Sequence, residues 1–246
     1  MQVSIVTPAY NSAATIRDTL ESIRMQDHPE IEHIVIDGGS TDDTLRIVSE
    51  FPKAGKVISE PDGGLYDAMN KGVRLASGEI VGILNSDDFY THPQVIGRVV
   101  DTMQQNDADA LYADLEYVRA NDTAHVVRRW KAGSFKRENF LRGWMPPHPT
   151  FFVRKSVYEA LGQFNDRFRF SADYELMLRF LYKHRIRVCY LPEVTVRMRA
   201  GGASNASLRN RIRANREDRA AWAVNGLHPR FYTLYMKPLS KIRQYW

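Results

Sequence analysis

The chain has a single cysteine, Cys189, in 246 residues, so no internal disulfide can staple it and its fold must come from a core. Cys189 lies in the apolar run RVCYLP, which reads as a buried core thiol; a reducing compartment would equally leave it free. No stretch approaches the roughly 20 consecutive apolar residues of a membrane span. The start, MQVSIVTPAY, lacks the basic region and long apolar stretch of a secretory signal. The expected compartment is the cytoplasm, with the inner face of the membrane open as a peripheral docking place. Internal repeats and low-complexity tracts are also missing, which excludes solenoid and disordered classes.

What is present is 43% apolar residues, enough for one sizeable core or a core with an appendage. The net charge of +5 is unevenly spread. From Arg199 onward ten Lys and Arg stand against Glu217 and Asp218, so the tail carries +8 and residues 1–198 about −3.

Over the first 115 or so residues, short apolar runs alternate with helical patterns. QVSIVT precedes a helix carrying Ile16, Leu20 and Ile23; IEHIVID precedes one carrying Leu45 and Val48. KVISE leads to a helix around Ala68 to Ala76, EIVGILN to one around Pro93 to Met103, and ALYADLEYV follows. Strand and helix at this spacing predict βαβ units in an α/β fold, with a mostly parallel sheet covered on both faces. Beyond Val118 the spacing predicts a strand and loop, a short strand TFFV with a short helix, and a helix in FSADYELMLRFLYKH. A strand pair, RIRVCYL and VTVRMR, follows, and after Gly201-Gly202 a helix from about Asn205 to Val224 that Gly226 can end.

Four predicted strands end in polar residues: Thr7 to Asn11, Asp37 to Ser40, Glu60 to Asp62, and Asn85 to Asp88. Ligands of open α/β sheets bind outside the carboxyl ends of the strands, so these ends are expected to converge on one pocket. The last of them closes an apolar strand with two adjacent carboxylates, Asp87 and Asp88. Like charges at a buried strand end repel each other and resist desolvation. A divalent cation shared with a diphosphate would offset them. The alternative is that one aspartate caps the next helix while the other faces water.

VTPAYN, IDGGSTDDT, SEPDGGLYDAMNKG and LNSDD, in this order and each after a strand, together resemble glycosyltransferase family 2, the inverting nucleotide-sugar transferases. The likeness spans roughly residues 2 to 200. It implies a GT-A type, Rossmann-like fold with a C-terminal helical basic extension. Residues 1–115 would form a nucleotide-sugar-binding half, 116–203 an acceptor and catalytic half of the same domain, and 204–246 the extension. It also implies that Thr7, Pro8, Ala9 and Tyr10 form the first nucleotide-binding turn and that Asp37 bonds the base or ribose. Glu60, Asp62 and Lys71 would close over base and diphosphate, and Asn85-Ser86-Asp87-Asp88 would stand at the site for Mn²⁺ or Mg²⁺. Asn85 replaces the commoner first aspartate, so Asp87 and Asp88 share metal and ribose, with the direct ligand left open. Asp37-Gly38-Gly39-Ser40 also reads as a turn before a Ser-capped helix, Thr7-Pro8 as a plain strand end, and Asp67 as a capping residue.

The resemblance makes Asp173 the general base that deprotonates the acceptor hydroxyl, although Asp173 would also serve as a helix cap. Ala172 stands where the family often has glutamate, so a supporting carboxylate is missing or supplied by Glu175. His148 matches a position where a histidine often reaches diphosphate or metal, or is simply a rigid-loop residue after two prolines. Arg197 and Arg199, ahead of Gly201-Gly202-Ala203-Ser204, are expected to reach the departing diphosphate if that hinge closes.

The tail interleaves arginines with Trp222, Phe231, Tyr232, Tyr235, Tyr245 and Trp246. Such a mixture suits an anionic membrane surface; nucleic acid would also attract it, and a helix packed on its own domain through Leu208 and Ile212 is the plain alternative. The expected partners are a UDP-sugar or similar donor and a saccharide acceptor, lipid-linked in many relatives; nucleic acid is not among them. A sugar nucleotidyltransferase would need a glycine-rich basic loop after the first strand, and TPAYNSAATIRDT has none. A non-catalytic nucleotide-binding module is the remaining rival, kept open by Asn85 and Ala172.

Overall fold

The computed structural model describes residues 1–51, 55–201, 208–234 and 236. Its first part is a run of βα units: β1 (Val3–Ala9), α1 (Ile16–Arg24), β2 (Ile31–Asp37), α2 (Thr44–Ser49), β3 (Lys56–Ser59), α3 (Leu65–Leu75) and β4 (Ile80–Ile83). β5 (Asp88–Tyr90), α4 (Val95–Gln105), the hairpin β6 (Ala110–Arg119) and β7 (Asp122–Trp130), β8 (Phe152–Arg154), α5 (Lys155–Leu161), α6 (Ala172–Met177), β9 (Val188–Arg199) and α7 (Leu208–Val224) follow. α6 runs directly into a π-helical segment, Leu178–Lys183, a form often found beside functional sites. No helix among the described residues is long and apolar enough to cross a membrane.

The nine strands among the described residues form one mixed sheet in the order β3-β2-β1-β4-β8-β6-β9-β5, with β7 paired to β6. β3, β2, β1 and β4 are mutually parallel, as are β6 and β9; β8, β5 and β7 run against their neighbours. The inner strands are apolar on successive residues because both faces are covered. Val35 and Ala9 meet Ile16, Leu20, Ile47 and Val48 of α1 and α2 in one cluster. Val6, Ile34 and Ile36 join Met69 and Val73 of α3 in the other. At Gly72 a Cβ would lie 2.1 Å from Val6 Cγ1, so α3 sits on β1 as closely as it does only because residue 72 has no side chain.

Pro8 is tolerated inside the central strand because the β1–β4 ladder ends at the pair Val6↔Ile83. The Val6 carbonyl faces β4, so residue 8, of the same parity, meets no partner strand there and its missing N–H costs no ladder bond.

The expected strand pair RIRVCYL and VTVRMR is instead one strand, β9. Its register against β6 jumps between Leu191↔Ala113 and Val194↔Asp114. Pro192 and Glu193 form a bulge there, one of the few places where a proline fits within a paired strand.

Candidate active site

The carboxyl ends of β1, β2 and β3 are tied into one rim. Asn11, at φ 47, adopts the left-handed conformation that asparagine tolerates better than most residues. Its N–H donates to Ser40 Oγ at 2.8 Å, and its Oδ1 accepts from Thr41 N–H at 2.9 Å. The Gly38 N–H donates to the Ala9 carbonyl, and a Cβ at Gly38 would stand 2.6 Å from Asp62 Oδ2. Lys71 of α3 closes the rim with Nζ 2.8 Å from Glu60 Oε1 and 3.5 Å from Asp67 Oδ2. Asp67 itself accepts the Gly63 N–H at 3.0 Å, a capping contact ahead of α3.

Two of the expected donor contacts face inward. Thr7 is fully buried, and its hydroxyl lies 3.0 Å from His33 Nε2; burial pushes that imidazole down to about 4. Asp37 is also fully buried. Its carboxylate accepts the Gly39 and Ser40 N–H groups at 3.1 and 3.0 Å, the Ser59 hydroxyl at 2.7 Å and the Ser40 hydroxyl. A carboxylate offers about four acceptor positions, so Asp37 shapes the turn, and a base or ribose would have to displace Ser40 or Ser59 to reach it. Tyr10, by contrast, is 63% exposed at the rim.

The acidic turn leaves β4 and enters β5, a three-residue strand held against β9 by the pairs Asp88↔Met198 and Tyr90↔Val196. Thr19 of α1 donates its hydroxyl to the Asp88 carbonyl at 2.7 Å, and Ser86 Oγ lies 2.8 Å from Ser12 Oγ. Asp88 is completely buried, and its Oδ2 accepts the Asn85 amide at 3.2 Å. Asp88 Oδ1 and Asn85 Oδ1 are buried with no hydrogen-bond partner. Burial, reinforced by the neighbouring Asp87 charge, drives the Asp88 carboxyl well above the usual carboxylate range. Burial also raises Asp87, against the nearby charges of Arg199 and His148. A cation fits this turn: it would stabilise the charged form of both carboxylates and meet the unpartnered Asp88 oxygen. Among the described residues no group of three or more His, Cys, Asp or Glu could hold a metal alone. Such a cation would take its other ligands from a bound diphosphate, as Mg²⁺ commonly does.

Opposite the turn stands Asp173, in the first turn of α6. Tyr66 Oη donates to its Oδ1 at 3.2 Å, and His148 Nδ1 lies 3.3 Å from its Oδ2. Tyr66, Asn85, His148 and Asp173 line one pocket, which therefore joins the acidic turn to Asp173. Glu175 does not support Asp173. It is buried, paired with Arg179 at 2.9 Å and hydrogen-bonded by Asn225, and the partners of Asp173 are Tyr66 and His148. Tyr66 escaped sequence reasoning because an aromatic in a helical first turn reads as core; nothing local marks its hydroxyl.

The two arginines of β9 also differ from expectation. Arg199, with 7% of its side chain exposed, donates to the Asp87 carbonyl at 2.6 Å, bonds the Asp18 carboxylate and stacks over Phe89. It buttresses the acidic turn from behind. Arg197 pairs with Glu116 at 3.1 Å, and Arg129 takes the other oxygen of that carboxylate. Both arginines are engaged in protein contacts. Gly202, Ala203 and Ser204 of the expected hinge lie outside the described residues, as do Tyr235, Tyr245 and Trp246.

α7 docks on α6 through Trp222 and not through Ile212, and the side chain of Leu208 lies outside the described residues. Trp222 is fully buried and donates its indole N–H to Tyr174 Oη at 2.9 Å, whereas Ile212 is 56% exposed. Glu217 Oε2 accepts the Phe170 and Ser171 N–H groups at 2.7 and 3.2 Å, holding the segment that leads to Asp173. Gly226, at φ 66, ends the helix, with Leu227 N–H bonded to Trp222 O and Gly226 N–H to Ala223 O.

Comparison with known proteins agrees with this architecture. A glycosyltransferase of PGL/p-HBAD biosynthesis from Mycobacterium bovis is 31% identical over 208 residues, covering 82% of this chain and 78% of that protein. S. aureus TarS in complex with UDP-GlcNAc superposes with a TM-score of 0.74 at 20% identity, covering 96% of this chain and 69% of TarS. The Pyrobaculum calidifontis mannosyltransferase PcManGT with GDP-Man and Mn²⁺ gives 0.68 at 21% identity, over 96% and 68%. These likenesses show the GT-A-like fold. Residues 4–162 match Glycosyl transferase family 2, and the chain belongs to that family of glycosyltransferases.

Proposed function

We propose that the chain transfers a sugar, with inversion, from a UDP-sugar to a hydroxyl of a lipid-linked saccharide acceptor in glycoconjugate synthesis. The observation that carries this reading is the single pocket lined by both Asn85 of the acidic turn and Asp173. It supports a reading in which a diphosphate-binding turn and a general base act on one reacting centre. TarS in complex with UDP-GlcNAc supports a UDP-sugar donor, and PcManGT in complex with GDP-Man and Mn²⁺ supports a metal beside a nucleoside diphosphate sugar.

The rim from Tyr10 to Lys71 binds the nucleotide, with the exposed Tyr10 ring stacking on the base. Asp87 and Asp88 would hold Mn²⁺ or Mg²⁺, which would neutralise charge on the departing diphosphate. Arg199 fixes the turn by its bond to the Asp87 carbonyl. Asp173 takes the proton of the acceptor hydroxyl as that oxygen attacks the anomeric carbon. Tyr66 and His148 hold both carboxylate oxygens of Asp173 in place. The exposed Arg216, Arg219 and Phe231 lie on the C-terminal extension, where anionic lipid carrying the acceptor would be met.

A thermal-shift screen of nucleotide sugars with and without Mn²⁺ tests the reading. A metal-dependent rise for a UDP-sugar supports it; a rise for no nucleotide sugar contradicts it.

A further inference from the structure

α6 does not secure its own beginning. It has six residues, Ala172–Met177, before the π-helical segment, too few for a helix to be stable by itself. Ser171 is its N-cap residue, yet the serine side chain makes no cap hydrogen bond to the helix. Its hydroxyl donates to the Ala214 carbonyl of α7 at 3.2 Å. Glu217 of α7 supplies the acceptor instead: its Oε2 takes the Phe170 and Ser171 N–H groups at 2.7 and 3.2 Å, and Arg213 Nε lies 3.4 Å from its Oε1. On the other side of Asp173, Tyr174 Oη accepts the Trp222 indole N–H at 2.9 Å, and Glu175 Oε1 accepts the Asn225 amide at 2.9 Å. Residues 170, 171, 174 and 175 are thus bonded to α7 or to the turn that ends it, and Ala172 is fully buried. Asp173 is the one residue of this stretch that lines the pocket. The clamp is built wholly from residues beyond 162, where the family match ends.

Resting on the reading of Asp173 as the base, we infer that Glu217 is a positioning residue for the transfer. By fixing the Phe170 and Ser171 N–H groups it sets where the Asp173 carboxylate stands against the attacking hydroxyl. Proton removal requires hydrogen-bond reach of that oxygen, and a displacement of about 1 Å at a reacting group can cost about 100-fold in rate. Tyr66 and His148 restrain the carboxylate oxygens from the pocket side; Glu217 restrains the backbone that carries them. Without it, two N–H groups beside the 3% exposed Ser171 lose their acceptor, and the turn shifts to recover one.

The test is hydrolysis of UDP-glucose and of UDP-N-acetylglucosamine by the full chain with Mn²⁺, read as UDP released. Water replaces the acceptor: its oxygen bonds the anomeric carbon, the bond from that carbon to the diphosphate breaks, and a water proton passes to Asp173. Glu217→Ala should lower kcat by about 10- to 100-fold and leave KM and the affinity for UDP unchanged. Glu217→Asp, which keeps the charge but draws it back by one methylene, should behave alike and takes its place should Glu217→Ala not fold. Glu217→Gln, whose amide oxygen can accept both N–H groups, should recover most of the loss. On an Asp173→Asn background the Glu217 variant should cost nothing further, because residues that act through one group are not additive. A wild-type kcat in Glu217→Ala or Glu217→Asp, a loss confined to KM, a Gln variant as slow as the others, or an undiminished loss on the Asp173→Asn background overturns the inference. Undiminished UDP release by Asp173→Asn alone, or none by the wild type from either donor, overturns the reading of Asp173, and the inference with it.

Discussion

Tyr66 donates a hydrogen bond to Asp173 at 3.2 Å across 107 residues of sequence, joining the first turn of α3 to the first turn of α6. The contact couples the two halves of the pocket. α3 also carries Lys71 to the rim proposed for the nucleotide, while α6 carries Asp173, the proposed base. The Tyr66 phenol is itself pushed well above its ordinary value, chiefly by burial and then by the Asp173 charge, so it acts as a fixed donor and never as a base at neutral pH.

Removing the base and removing its support have different signatures. Asp173→Asn should lower sugar-nucleotide turnover by about 10² to 10⁴ while leaving nucleotide affinity intact. Tyr66→Phe deletes one hydrogen bond to a charged group and should lower kcat by about 10-fold, with KM for the donor unchanged. Steady-state kinetics on the two variants reads both; a Tyr66→Phe effect confined to KM would place the tyrosine in donor binding instead.

The C-terminal extension cannot be probed by simple truncation, because Trp222 and Glu217 belong to the fold around α6. Arg216 and Arg219 are exposed, so Arg216→Glu with Arg219→Glu leaves those contacts in place. At about 1 kcal/mol for each basic residue near an anionic surface, the double variant should sediment with phosphatidylserine vesicles at least ~10-fold less well than the wild type. Equal sedimentation of the two forms would remove the membrane contact.

Stability should depend on pH through His33. Its imidazole holds a proton below about 6.5 when unfolded but only below about 4 when folded. The stability present above pH 6.5 is therefore lost progressively as pH falls toward 4, by about 3 kcal/mol in all. Urea unfolding at pH 7, 5.5 and 4 should show this slope, and His33→Gln, which keeps a polar partner for Thr7, should flatten it. An unchanged slope in the variant would place the acid sensitivity elsewhere.

Much of the fold was legible because β1, β2 and β4 are buried on both faces and therefore read as unbroken apolar runs. β5 was not, since three residues carry no period, and it exists only through its pairing with β9. Pro192 suggested a break in β9, but a bulge absorbs it. At the candidate site, local motifs singled out the acidic turn and Asp173, which the fold brings to one pocket, yet they could not say which side chains turn inward. Thr7 and Asp37 are bonded within the protein, Arg199 braces the turn from behind, and Glu175 answers to Arg179. The docking of α7 through Trp222 rather than Ile212 was equally hidden, because the face that packs is chosen by α6 and not by the helix's own sequence.

The proposed mechanism turns on a cation held at the acidic turn, and calorimetric titration of UDP into the protein, in Mn²⁺ and in EDTA, tests it most directly. Mn²⁺ should tighten UDP binding to the wild type and have no effect on Asp87→Asn with Asp88→Asn, since these are the two carboxylates that the proposed reading gives to the cation. The same UDP affinity with and without Mn²⁺ in the wild type, or Mn²⁺-enhanced binding that survives in the double variant, would contradict the account.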